Sequence, residues 1–228
     1  MFRLFVSVSP KRPITRKESY EVTAILIRKF IDLHNGDMKK AHYQKTFSHY
    51  SFSNLYPMEG NYVYQQDRAY TFEIRTLKRE LLDLRSYVGL ETEDVVVTSV
   101  SASKILYGSK GMLQSETPVY VAKEKRKKKS IEEYIRENIL YRYVKSGCNS
   151  CDDLDWLREH VIKEIRVNED TITVPFKTKR LKNGEAYRYH CTNMTIVFQH
   201  NDVAKEVEKI VYISGLGQNT SNGFGFMK

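Results

Sequence analysis

One pattern of hydrophobic periodicity occurs twice along this chain, and it restricts the fold more than any single motif. "FRLFVSV" (2–8) alternates apolar and polar residues as a half-buried strand does. "SYEVTAILIRKFIDLH" (19–34) follows, with Val22, Leu26, Phe30 and Leu33 on one helical face. "SFSNLY" and "RAYTFEIRTL" read as strands, "KRELLDLRSYVG" as a helix ended by Gly89, and "EDVVVTSVSASKIL" as a strand. The second round begins near Pro118. "TPVYVAK" is a strand, and "SIEEYIRENILYRYV" is a helix with Ile131, Ile135 and Ile139 on one stripe. "TITVPFKTKRL" and "YRYHCTNMTIVFQH" flank Asn183-Gly184, a hairpin turn signal. "NDVAKEVEKIVYI" reads as a helix capped by Asn201 or Asp202, and "GFGFMK" as a last short strand. The order β-α-β-β-α-β, taken twice, predicts an α+β protein of two tandem ferredoxin-like (RRM-like, βαββαβ) domains. They span 1–110 and 116–228, joined near residues 108–117.

Charge narrows the partner. Among 228 residues, 37 Lys and Arg face 28 Asp and Glu, a net charge of +9. That excess favours an anionic partner, and 16 Tyr and 10 Phe supply flat faces on which bases can stack. No apolar stretch reaches the length of a membrane span, and the first residues lack a signal-peptide pattern. Three cysteines, Cys148, Cys151 and Cys191, form no disulfide framework and suggest a reducing compartment. The expectation is a cytoplasmic protein without membrane contact. Cys148-Asn-Ser-Cys151 has metal spacing but no second pair, so a solvated turn is the better reading, and no metal or cofactor is expected.

The chain closes on "GLGQNTSNGFGFMK", which holds four of its 11 glycines. A Walker loop needs Gly-x4-Gly-Lys-Ser/Thr, and a dinucleotide fingerprint needs a glycine where Thr220 stands. Neither is present. Two readings remain open and are compatible. Gly215, Gly217, Gly223 and Gly225, with Gln218 and Asn219, can turn backbone N–H groups into a concave phosphate nest. Alternatively, the segment is a tight turn that packs the two halves together.

This ending resembles the C-terminal glycine-rich signature of the CRISPR-associated repeat-RNA endoribonucleases, the Cas-six family. The likeness extends in order and spacing to the first strand and helix, a histidine, "YSFSNL", and the "TPVYV" that opens the second half. It implies two ferredoxin-like domains that bind CRISPR repeat RNA, precursor and mature, and cut it once without metal. In the family pattern the catalytic histidine lies a few residues before the stretch matched by "YSFSNL", with a lysine between. His42 with Lys45 fits best, while His49 and His34 are alternatives in the same stretch. Where some family members carry a tyrosine on the first helix, this chain has Ile27 or Arg28, and Arg28 can supply charge.

Two basic segments are candidates for binding the RNA. "KEKRKKK" (123–129) is a dense run that is as readily a solvated loop. Lys177, Lys179, Arg180 and Lys182 crowd the Asn183-Gly184 hairpin, which suits phosphates or a groove and is the favoured element. Tyr187 and Tyr189 either stack on bases or belong to the core. A non-catalytic repeat-RNA-binding subunit of a CRISPR ribonucleoprotein is the other reading, and a homodimer and a place in an effector complex stay open.

Overall fold

The computed structural model describes residues 1–33, 48–83, 86–147, 150–180 and 184–228, without the side chains of Glu169 and Arg180. Strand β1 (Phe2–Pro10) buries Leu4, Val6 and Val8 and turns Arg3, Phe5 and Ser7 to the other face. A two-residue β2 (Ile14–Thr15) leads into α1 (Arg16–Leu33). Thr15 and Glu18 start that helix by satisfying each other. Thr15 Oγ1 accepts from the Glu18 amide at 3.3 Å, and Glu18 Oε2 accepts from the Thr15 amide at 3.0 Å. The first half is completed by β3 (Tyr50–Phe52), β4 (Val63–Tyr64), β5 (Tyr70–Thr76) and β6 (Val95–Lys104). The main sheet runs β3-β5-β1-β6 with every neighbour antiparallel, the strand order of a ferredoxin-like unit.

The helix expected over 78–89 is a correction. Among its described residues that segment forms a 3-10 turn, Arg79–Leu82, and Ser86 is again in 3-10 geometry. The reason is geometric: Leu81, Tyr87 and Leu90 are the residues buried, and no single helical face carries positions 81, 87 and 90. Tyr87 instead stacks on Phe30 of α1 at 3.7 Å, and Gly89 takes a φ of +80°.

The second half repeats the plan with longer parts. β7 (Met112–Gln114) and β8 (Val119–Tyr120) are followed by α2 (Lys123–Arg126) and α3 (Ile131–Ser146). Ser130 caps α3, and Gly147 ends it at φ +69°. Helix α4 (Leu154–His160), which no sequence signal announced, sits on the Asp153 cap. β9 (Ile162–Arg180) and β10 (Ala186–Phe198) form a long hairpin, with β9 starting nine residues before the expected strand. α5 (Asp202–Ser214) is capped by Asn201, which accepts from the Ala204 amide at 2.8 Å. The expected last strand is reduced to a bridge between Met227 and Ser115, with Gln114 and Lys228 exchanging backbone bonds at 2.8 and 2.9 Å. β10 is flanked by β9 on one side and by β7 and β8 on the other.

The two sheets do not have separate cores. Leu113, Val119, Ile135, Ile139, Ile196 and Val211 form one cluster inside the second half. The other gathers Leu4, Val6, Ile27, Phe30, Phe52 and Phe72 of the first half, and takes in Val174, Phe176, Tyr189, Cys191 and Phe224 from the second. α1 makes the junction. Tyr20 stacks on Phe224 at 6.1 Å, and the buried Glu21 carboxylate accepts from the amides of Lys177 and Thr178, each at 2.7 Å. Among the described residues, no helix is long and apolar enough to cross a membrane.

Candidate nucleic-acid interface

The glycine-rich ending is a seam between the halves. Gly215, Gly217, Gly223 and Gly225 are buried at positive φ. A Cβ on Gly217 would stand 2.6 Å from Val119 Cγ1, on Gly223 2.8 Å from the Phe52 ring, and on Gly225 1.9 Å from the Leu216 oxygen. Their amides are engaged internally. Leu216 donates to Gly225 O at 2.8 Å, Gly217 to Asn138 Oδ1 at 3.0 Å, Gln218 to Tyr120 O at 2.9 Å and Gly225 to Pro118 O at 3.0 Å. Arg142 of α3, buried, donates to Ser214 O at 2.9 Å and Gly217 O at 2.7 Å. Burial lowers its pKa to about 10, which leaves it charged at neutral pH. Of the two readings of this segment, the packing turn describes its bonds. Gln218 and Asn219 remain half-exposed, though the Gln218 side chain accepts from the Ala122 amide at 2.7 Å.

Arg75 of β5 locks the same seam from the first half. It is 3% exposed, pairs with Glu73 at 2.8 Å, and donates to Tyr212 O at 3.1 Å and to Met227 O. Its guanidinium lies 3.6 Å from the Tyr212 ring centre and 3.9 Å from that of Phe226.

His42, Lys45 and His34 lie outside the described residues. His49 precedes β3, half-buried, and its carbonyl accepts from the Leu77 amide at 2.9 Å. Burial, helped by the charge of Lys78 and opposed by Glu80, lowers the His49 pKa below its ordinary 6.5. A neutral imidazole of that kind can accept a proton near neutral pH. Arg28, half-buried on α1, acts electrostatically on the buried Tyr50 phenol, the residue after His49. Burial raises that phenol and Arg28 opposes the rise. His49 and Arg28 thus share one neighbour at the end of the first sheet.

The basic hairpin is divided in its commitments. Lys177 Nζ reaches Glu18 at 2.6 Å, an ion pair that pins β9 to α1. Lys179 leans over the Tyr189 ring, 5.2 Å from its centre. The side chain of Arg180, and Lys182 and Asn183, lie outside what the structure describes, while Gly184 has the expected positive φ of +83°. Tyr189 is core, packed edge-on to Tyr120 at 4.8 Å and Phe176 at 5.0 Å. Tyr187 is half-buried, its hydroxyl 3.4 Å from that of Tyr120.

Sequence reasoning missed a groove of about 780 Å³ between α2 and the hairpin. Lys123, Arg126, Arg188 and His190 bring positive or titratable groups to it, Tyr120 and Tyr187 bring rings, and Glu124 and Glu185 bring acids. Arg126 braces the floor by donating to Val121 O at 2.9 Å and His190 O at 2.8 Å. The signal was the alternation in "YRYH", which turns Arg188 and His190 outward where Tyr189 turns inward. A cationic groove with aromatic walls suits a single strand of nucleic acid.

No protein-family model matches this sequence, and no curated protein is similar to it. Solved structures are similar in fold. One described as CRISPR associated protein Cas6 has a TM-score of 0.64 at 15% identity, covering 100% of this chain and 98% of that one. The chain has the Cas6 fold. A RAMP protein described as binding different RNA substrates matches at 0.64 and 12% identity, over 100% and 99% of the two chains. The product of a Cas6-related gene from Pyrococcus furiosus matches at 0.62 and 14%, over 100% and 97%. The Cas6 fold here extends end to end, so the seam, the long hairpin and the His49 neighbourhood all lie within the matched length.

Proposed function

We propose that this chain is a cytoplasmic endoribonuclease that binds CRISPR repeat RNA and cleaves the precursor transcript without metal. The observation that carries the reading is the end-to-end likeness to Cas6 and RAMP structures, one described as binding RNA substrates, in a chain of charge +9. The RNA supplies its own nucleophile. The 2′-hydroxyl attacks the adjacent phosphorus, its proton passes to a base, and the P–O5′ bond breaks as an acid protonates the leaving oxygen. The products are a 2′,3′-cyclic phosphate and a 5′-hydroxyl. His42 is the proposed proton-transfer group, with His49 the alternative. Lys45 and Arg28 stabilise the crowded phosphate. The RNA runs along the hairpin cations Lys179, Arg180 and Lys182 and the groove by Lys123 and Arg188, while the glycine seam fixes the two halves that hold it.

A second reading, a repeat-binding subunit without cleavage, is favoured by one feature of α1. Of Ile27 and Arg28, which stand about where some family members carry a tyrosine, Ile27 is 1% exposed and offers no chemistry and Arg28 brings charge without a phenol. One experiment separates the two. Incubation with the host's repeat RNA in excess EDTA should give a single cut with cyclic-phosphate ends, and a 2′-deoxy sugar at the cut site should abolish it with binding unchanged. His42→Ala should slow cleavage by about 10²–10⁴-fold at unaltered affinity. Strict need for Mg²⁺, or cutting of the deoxy analogue, sinks the mechanism. Tight binding without any cut by the wild type establishes the subunit reading.

A further inference from the structure

The β9–β10 hairpin does not run as one ladder to its tip. Its register passes from Phe176 opposite Tyr187 straight to Arg180 opposite Ala186, so Lys177, Thr178 and Lys179 face no residue of β10. Extra residues on one strand make a bulge, which bends the strand and re-aims what lies beyond it. Beyond this one come Arg180 and Lys182, two of the cations proposed to carry RNA.

Amides that leave a ladder need other acceptors. Two of these find the same side chain. Glu21 of α1, 7% exposed, accepts from the Lys177 amide at Oε2 and from the Thr178 amide at Oε1, each at 2.7 Å. Oε1 also accepts from the Thr178 hydroxyl at 2.5 Å. One turn earlier on α1, Glu18 holds Lys177 Nζ at 2.6 Å. Only a carboxylate suits the Glu21 position. A glutamine would keep one accepting oxygen and turn its own N–H against a backbone N–H.

The same helix face leads to the candidate cleavage site. Glu18, Glu21, Ile25 and Arg28 follow at helical spacing along α1, with about 10 Å of unbroken helix between Glu21 and Arg28. Tyr189 lies within the field of both. Burial raises its phenol to about 12, Arg28 opposes the rise and Glu21 adds to it.

We propose that Glu21 is a positioning residue: it fixes the bulged hairpin to α1, so that RNA gripped at the tip is presented to Arg28 in a single register. The inference rests on the function proposed above. It separates gripping the RNA, done by the hairpin cations, from placing it, done by a buried carboxylate that touches no RNA.

Glu21→Gln tests this in the full chain, well below its melting temperature. Hydrogen exchange should quicken at the 177 and 178 amides and stay as in the wild type across α3. Repeat-RNA affinity and its salt slope should hold, because every hairpin cation is still present. The single-turnover cleavage rate at saturating protein should fall about 10–100-fold, the effect of misplacing a reacting group by about an ångström. Thr178→Val, which removes one donor of the three, should cost less. Register is also read without cleavage. With p-benzoylphenylalanine replacing Arg28, photocrosslinking to a 2′-deoxy repeat should mark one nucleotide when Glu21 is present and several with Glu21→Gln. Unchanged exchange, an unchanged cleavage rate per folded molecule, or a loss confined to affinity overturns the proposal. A wild type that binds without cutting sinks the cleavage reading alone, and the crosslink then decides: one nucleotide marked in both backgrounds overturns the role of Glu21, and a spread supports it.

Discussion

Gly225→Ala tests whether the glycine seam is packing or phosphate nest. Gly225 sits at φ +68°, where an L-residue costs about 1–2 kcal/mol. Its new Cβ would lie 1.9 Å from the Leu216 oxygen and 2.8 Å from the Leu216 carbon, both inside the 3.0 Å that Cβ atoms essentially never breach. Relief requires the two strands of the loop to part by more than an ångström. That breaks the 2.8 Å bond from Leu216 N to Gly225 O and the 3.0 Å bond from Gly225 N to Pro118 O. Two buried hydrogen bonds add about 2 kcal/mol, for a total of roughly 3–4 kcal/mol. For a chain of this size that lowers Tm by about 10 °C. Gly184→Ala is the matched control. It has φ +83° with nothing within 4 Å of its Cβ, so it carries the backbone strain alone, about 1–2 kcal/mol. Thermal unfolding of the two variants reads the difference, with repeat-RNA affinity measured well below either transition. If Gly225→Ala melts no lower than Gly184→Ala yet fails to hold RNA, the seam touches phosphate and the packing argument fails.

Arg75→Met removes a buried guanidinium that serves Glu73 and two carbonyls, and should cost about 3–5 kcal/mol in urea unfolding. Adding Glu73→Gln should recover part of that, and no recovery would mean the carboxylate never depended on the pair. His49, held neutral by burial and by Lys78, contributes stability that is complete above the unfolded pKa of about 6.5. It is lost as pH falls through the lower folded value, so His49→Gln should flatten the acid side of the urea midpoint against pH, and an unchanged slope refutes the shift. Neutralising Lys179, Arg180 and Lys182 should reduce the salt slope of RNA binding by about 0.7 for every phosphate that no longer meets a cation. Lys177→Ala should leave that slope alone because its ammonium is on Glu18 at 2.6 Å, and an equal reduction would contradict that assignment.

Local periodicity made most of the fold legible. β1, α1, β5, α3, β10 and α5 stand where alternation, stripe or cap placed them, each burying one face, and β6 stands where expected but buries only Val95 and Val97. The failures share a cause in tertiary packing. Leu33 completes the stripe of α1 in the sequence but is 62% exposed, while Tyr20, Ala24, Ile27 and Ile31, off that stripe, are buried, Tyr20 against Phe224 of the second half. The 78–89 segment has helical composition, yet the stacking of Tyr87 on Phe30 holds it in another path. At the candidate site, the glycines were visible and their partners were not, because Asn138, Arg142, Pro118 and Tyr120 are distant in sequence. The groove by Arg188 and His190 required knowing that β10 passes α2. His42 and Lys45 rest on the family likeness alone.

The shared core has a consequence for how the chain is made. Arg75 and the Met227 carbonyl it binds are 152 positions apart, and Tyr20 waits for Phe224. During synthesis the first half therefore emerges before the carbonyls of Tyr212 and Met227 that Arg75 binds, and before the Phe224 ring that Tyr20 stacks on. Domains whose cores are their own can finish one after another on the ribosome, whereas this half shares its core with residues still to come. A nascent chain halted before the seam should stay protease-sensitive throughout, and extension through Lys228 should protect both halves together.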